Sequence, residues 1–308
     1  MVDLIGVCFD GSGRPGGQSL APAVLREAGL VGALPDSTRL LPDVMLSEAS
    51  STRGPLAGFL NEAALLEMAE AVRERVASTL REGRFPLIYG ADCAVLLGSV
   101  PALVEVEGSA GLVFIDGHED ATSMQLTESG EVANMEVALL LGRTGERAPA
   151  ALRSHLPALS TGALVMMGQR DERYRSGLGV PSVADGVVLR TVEELHRDPA
   201  RAGREAAEHV RREAGAWWLH IDLDVLVGTE FWACDAANDP AMTGGLTWAE
   251  LTTITSAALR AGGCSGWDVV VYNPDLDPDR EMARRIVRFV SEVVEGADFA
   301  TSSDADHI

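Results

Sequence analysis

Five side chains with metal-binding chemistry stand in two short, regularly spaced groups. Asp116, His118 and Asp120 directly follow the apolar run 112–115, and Asp222 and Asp224 close a second run that begins at Trp217. Alternate residues at the end of a strand point to one side, so the members of each group can converge. Carboxylates buried together with no Lys or Arg beside them repel each other and are costly to desolvate unless cations sit among them. One such group has a plainer reading, because a carboxylate after a strand often caps a helix or holds a turn. Together the two supply four Asp and one His. That mainly oxygen set suits two hard or borderline divalent ions such as Mn²⁺ better than a structural zinc.

The elements that must hold these groups are strands of a parallel sheet. Short apolar runs are buried strands of that kind, and ligands bind in open α/β sheets just beyond the carboxyl ends of the strands. Such runs fall at 4–9, 85–89, 112–115, 163–168, 217–223 and 267–271. Helical spacing is expected over 21–28, 61–81, 93–103, 135–141, 191–214, 248–261 and 280–294. The alternation predicts one three-layer α/β/α domain over 1–296, with a mainly parallel sheet of about eight strands. Residues 297–308 are expected to be a disordered tail. Glu and Arg at i, i+4 spacing over 191–214 predict a solvated helix face. Residues 46–58, rich in Ser, Gly and Pro, predict a surface loop. The glycine-rich stretch 10–17 lacks both the P-loop Lys-Ser/Thr and the Rossmann spacing, so phosphate binding is not expected of it. The irregular stretch between Asp224 and Gly244, with Phe231, Trp232 and Cys234, is either a substrate-facing loop or a lid packed on a neighbouring subunit.

Basic residues number 25 and acidic residues 46, a net charge of −21. That balance argues against nucleic acid and anionic membrane as partners and leaves a small molecule as the expected one. No basic and apolar leader opens the chain, and no apolar run approaches the roughly 18 residues that span a bilayer, so a cytoplasmic protein is expected. Cys8, Cys93, Cys234 and Cys264 lack CxxC spacing. Neither a disulfide framework nor a zinc ribbon follows from them.

At the level of whole motifs the chain resembles the arginase, agmatinase and formiminoglutamase family, the ureohydrolases. Asp116-Gly-His118-Glu-Asp120 and His220-Ile-Asp222-Leu-Asp224 are similar to that family's Asp-Ala-His-x-Asp and Ser-x-Asp-x-Asp, which hold a dinuclear manganese cluster. Gly90-Ala-Asp92-Cys93 stands where the family has Gly-Gly-Asp-His, and Gly244-Gly245-Leu246-Thr247 matches its Gly-Gly-Leu-Thr. Asn273-Pro274 matches the end of its Glu-Val-Asn-Pro, and Phe9 to Gly17 with Pro22 and Leu25-Arg26 is similar to its amino-terminal strand, loop and first helix. The resemblance covers nearly the whole chain. It implies an arginase-like fold, a homo-oligomer, and two divalent ions, one held by Cys93, Asp116, Asp120 and Asp222 and the other by Asp116, His118, Asp222 and Asp224. It also implies a metal-activated water that attacks an sp² carbon, with Asp120 and His118 as the catalytic residues and Asp120 orienting the water and receiving its proton.

Departures from the family pattern shape the substrate to expect. Cys93 replaces a histidine ligand; its plain reading is a small buried hydrophobe, its sharper one a thiolate that shifts preference towards Zn²⁺ or Fe²⁺. Ser129-Gly130 agrees with the family's substrate loop, but the histidine regarded as a proton shuttle has become Ala133, with Glu131 as a candidate substitute. Arg173 and Arg175 stand where relatives with amino-acid substrates carry acids; they are either solvated or a carboxylate clamp. Val271 replaces the glutamate that binds a cationic guanidinium. Ser129, Glu131, Arg173 and Val271 are therefore the expected substrate-binding residues. A neutral reacting group is expected, and an N-hydroxyguanidino compound such as hydroxyarginine is favoured over arginine. Formimino, other amidine or amide substrates remain open, as does a ureohydrolase-like protein that binds or regulates without catalysis.

Overall fold

The computed structural model describes residues 1–46, 49–240 and 242–297. The tail expected from 297 onward lies, beyond Ala297, outside them. Eight strands form one parallel sheet: β1 (Val2–Gly6), β2 (Arg39–Leu40), β3 (Phe85–Tyr89), β4 (Gly111–Ile115), β5 (Leu164–Met167), β6 (Val188–Arg190), β7 (Trp217–Asp222) and β8 (Cys264–Val270). Their order is β2-β1-β3-β8-β7-β4-β5-β6. The inner strands are almost continuously apolar because helices cover both faces.

Two cores result, one on each face. Along β7, Trp217, Leu219 and Ile221 enter the core shared with the helices Ala21–Glu27, Pro199–Ala214, Trp248–Arg260 and Glu281–Gly296. Trp218 turns to the opposite core, filled by Glu62–Arg81, Leu96–Glu107 and Glu136–Leu140. The strand period of two thus divides one segment between two layers. β3 and β4, consecutive strands of the inner sheet, are separated by β8 and β7. That interruption opens the crevice at the carboxyl edge where ligands bind in such sheets.

Several elements differ from the sequence expectation. The edge strands β2 and β6 are two and three residues long and partly or wholly exposed, too short to show a periodic signal. The single helix expected over 191–214 is two, Val192–Arg197 and Pro199–Ala214, because Pro199 cannot donate an internal hydrogen bond and Asp198 caps the second helix at Arg201 N, 3.0 Å away. Phe231 and Cys234 are buried in the core, with Phe231 edge-on to Trp248 at 6.0 Å, so their loop is anchored through its apolar residues instead of presenting them to a ligand. In the glycine-rich stretch the N–H groups of Gly11, Gly17 and Gln18 already donate to Asp92, Asp275 and Asp10. Carboxylates occupy what a phosphate would need. Among the described residues no helix is long and apolar enough to cross a membrane.

Candidate metal centre

Every ligand expected from the sequence lies at the carboxyl ends of β3, β4 and β7. Cys93 opens a short turn after β3, and Asp92 fixes that turn by accepting from Ala94 N at 3.0 Å and Gly11 N at 2.7 Å. Cys93 Sγ comes within 2.9 Å of Asp222 Oδ2. His118 Nδ1 lies 2.9 Å from Asp224 Oδ2. Asp116 and Asp222 each accept a backbone N–H two residues on, from His118 and Asp224, at 2.6 Å. These local turns hold the carboxylates against their own strand ends. A Cβ at position 117 would stand 2.5 Å from Arg170 Nη1 and 2.8 Å from Asp224 Oδ1, so the alanine of the family motif would have to shift the ends of those two side chains.

Backbone strain gathers at the same edge. Ala91, Asp120 and Val271 adopt φ of 62°, 43° and 67°. For a β-branched valine this is a genuine outlier, and such conformations collect at functional sites.

The cluster is electrostatically unbalanced as a set of protein groups alone. Burial, reinforced by neighbouring carboxylates, pushes Asp120 and Asp222 well above the usual carboxylate range. Burial acts on Asp116 in the same sense, but His118 and His220 outweigh it and hold Asp116 below that range. His118 is raised well above its ordinary value: burial opposes this, and the charge of Asp224 prevails. Burial and the surrounding acids drive the Cys93 thiol upward. The chain contains no lysine. Among the described residues the cationic groups paired with Asp116 and Asp224 are histidines, not arginines. Buried acids that outnumber the two imidazoles set among them are what divalent ions would balance. Ligand atoms of Asp116, His118 and Asp224 lie within 4.8 Å of one another, and so do those of Cys93, Asp116 and His220, and of Cys93, Asp120 and Glu136.

Two of those residues were not expected as ligands. Glu136 is fully buried at the start of its helix, and neither carboxylate oxygen has a hydrogen-bond partner. Burial, then the charge of Asp116, pushes its carboxyl well up. Leaving such a group unsatisfied costs about 1–3 kcal/mol or more. The sequence signal was an acid opening the apolar segment 135–141, which helix-start statistics explain equally well. His220 is fully buried, its Nδ1 bonded to Asp268. Burial alone would lower its pKa, but Asp268 and Asp116 push it up to about 10. Its signal was the i, i+2 spacing to Asp222, which puts both on one face.

The expected substrate-binding residues are more dispersed. Ser129 is exposed and its Oγ accepts from Glu131 N at 3.1 Å, while half-buried Glu131 accepts from Asn134 at 3.4 Å. Ala133 packs against the core and offers no titratable group. Arg173 is exposed on the helix Glu172–Leu178. Arg175 is tied to Glu119 at 2.9 Å and Asp171 at 3.0 Å. Tyr174, next to Arg173, presents its ring to that of His118 at 6.3 Å. Val271 follows β8 and donates its N–H to Ala91 O at 3.0 Å.

A parallel sheet carrying a buried, carboxylate-rich cluster at its carboxyl edge defines an α/β protein with a candidate metal centre. The sequence model of the arginase family matches residues 1–295, and the chain belongs to that family, whose members are metal-dependent hydrolases of C–N bonds. It is 24% identical over 298 residues to arginase-1 of Homo sapiens, covering 93% of this chain and 89% of that one. Its fold is similar to that of arginase from Bacillus caldovelox (TM-score 0.80, 22% identity, 95% of this chain and 97% of that chain). It is also similar to formimidoylglutamase from Bacillus subtilis (TM-score 0.72, 18% identity, 96% and 86%).

Proposed function

We propose that this chain is a dinuclear-metal hydrolase cleaving a C–N bond of a guanidino-type small molecule whose reacting group is uncharged, with Nω-hydroxyarginine favoured over arginine. The observation that carries this reading is a conjunction: a buried cluster of acids able to hold metal at the ends of β4 and β7, and a valine, not an acid, directly after β8. Two divalent ions held there, Mn²⁺ or, given Cys93, Zn²⁺ or Fe²⁺, would act as Lewis acids and lower the pKa of a water.

The chain's own residues do the rest. Asp116 and Asp222 belong to both halves of the cluster, and Cys93 and Asp224 complete one half each. Asp120 orients the attacking water and takes its proton on a carboxylate oxygen. His118, braced by Asp224, stands between the cluster and Tyr174. Ser129, Glu131 and Arg173 meet the distal part of the substrate, where Arg173 favours a carboxylate. Val271 cannot pair with a cation, and the loss of a charge-assisted contact costs about 1.5–3 kcal/mol, roughly 10- to 150-fold against a cationic guanidinium. Ala133 supplies no proton to an alkylamine leaving group, which acts in the same direction. The same reading takes 1–296 as one domain that assembles as a cytoplasmic homo-oligomer.

The test is kcat/KM for arginine, agmatine, Nω-hydroxyarginine and formiminoglutamate side by side with Mn²⁺. Nω-Hydroxyarginine is expected to lead. Formiminoglutamate in first place moves the assignment to formimino compounds and overturns the preference for an uncharged reacting group. Arginine in first place overturns the roles given to Val271 and Ala133. No turnover of any of them by protein carrying both ions points to a binding or regulatory role.

A further inference from the structure

His220 and Asp222 stand two residues apart on β7, so both point to the same face of the sheet, His220 one step further from the carboxyl end. Strand register places His220 between Phe114 of β4 and Asp268 of β8. Phe114 stacks on the imidazole at 4.8 Å with 14° between the planes, which fixes the ring. Asp268 accepts from His220 Nδ1 with one oxygen and from Trp218 Nε1 with the other. The opposite nitrogen, Nε2, is fully buried and has no hydrogen-bond partner.

Nε2 lies 3.9 Å from Asp116 Oδ2, too far for a hydrogen bond. The ligand atoms of His220, Asp116 and Cys93 nevertheless lie within 4.8 Å of one another. Donors about 2.0–2.3 Å from one ion stand at such separations. A carboxylate that grips one ring nitrogen while the other faces a ligand cluster is how metal-binding histidines are oriented. As a purely structural network, the Trp218–Asp268–His220 chain would satisfy Nδ1 and leave Nε2 with no hydrogen bond, only the 3.9 Å charge contact to Asp116.

We propose that His220 is itself a metal ligand, coordinating through Nε2 on the Cys93 side of the cluster with Asp268 as its positioning residue. The imidazole absent from position 93 is thereby supplied from β7. The inference rests on the dinuclear reading above and adds to it a sulfur, nitrogen and oxygen donor set on one side, which favours Zn²⁺, Fe²⁺ or Co²⁺ there over Mn²⁺.

The full-length protein, with ¹⁵N in its histidine rings, is loaded with ¹¹³Cd²⁺, a soft ion compatible with both sulfur and imidazole. Two rings are expected to show ¹¹³Cd–¹⁵N coupling, and His220→Asn should remove one and keep the other. Because His220 is buried and that variant can fail to fold, Asp268→Asn provides a second reading. It should keep both coupled rings while weakening cadmium affinity about 10- to 100-fold in chelator competition. A single coupled ring in the wild type, with two ions bound, overturns the role of His220 and leaves the dinuclear reading standing. Protein that binds no cadmium overturns both. Unchanged affinity in Asp268→Asn overturns the positioning role.

Discussion

At the scale of single residues, the cluster gives predictions that metal analysis checks without any substrate. Asp116 and Asp222 take part in both halves of the proposed site, so Asp116→Ala is expected to lose both ions and Asp224→Ala to lose chiefly one. Elemental analysis of protein purified without chelator measures this, and full metal retention by Asp116→Ala rejects the arrangement. Cys93 is 2% exposed and lies against Asp222. Its thiol titrates too high to ionise unaided at neutral pH, so a thiolate there needs the cation. Cobalt-loaded protein should therefore show a sulfur-to-metal charge-transfer band that Cys93→His abolishes, while two ions remain bound and their order of preference changes. An unaltered band in Cys93→His would show that the sulfur is not coordinated.

At the scale of elements, strand register does the positioning. Trp218 of β7 pairs with Gly266 of β8, where a Cβ would stand 2.0 Å from the indole ring. Gly266→Ala must therefore displace Trp218 and, through it, the carboxylate of Asp268 that holds His220. Overpacking of this kind costs about 1–3 kcal/mol, to be read from denaturant midpoints, and should be accompanied by weaker metal binding. A second element-level case is Asp3 on β1, whose buried carboxylate is held by Arg39 and Arg84. Burial raises its pKa, but the two guanidinium groups outweigh this and the net shift is downward. A depressed folded pKa contributes stability above the ordinary carboxylate value that is lost as pH falls through the folded one. Asp3→Asn should therefore destabilise by about 1–3 kcal/mol at neutral pH, and the difference from wild type should close in acid. A gap that stays constant down to low pH would sink this account.

At the scale of the whole molecule, stability and metal are linked. Asp120, Asp222 and Glu136 have pKa values raised in the folded state. The stability they contribute is complete below the ordinary carboxylate range and is lost as pH rises through their folded values. Metal-free protein should consequently weaken on going from mildly acidic to neutral pH, and added divalent ion should restore it. At a free concentration 100 times Kd, one site contributes about 2.7 kcal/mol. Thermal unfolding with and without chelator across that pH range measures the effect, and a metal-induced rise in Tm that does not grow with pH would contradict it.

By itself the sequence determined the parallel α/β class and most of the inner strands, because a strand buried on both faces must be continuously apolar. It also determined the acids after β4 and β7, since side chains with period two at a strand end are bound to converge. Cys93 was legible as a candidate only through the resemblance, which places a histidine ligand at its position. Only the tertiary structure decided which groups meet across the sheet. Asp268 in β8 is a lone acid in an apolar strand until register sets it beside His220, and Glu136 looks like an ordinary helix-start acid until its helix carries it to Cys93 and Asp120. Likewise Phe231 turned inward although its loop is irregular, and Val271 took a positive φ that its residue type disfavours. Local periodicity fixes which way a side chain points along its own element, but the partner it finds depends on strand order and register, which are set by contacts distant in sequence.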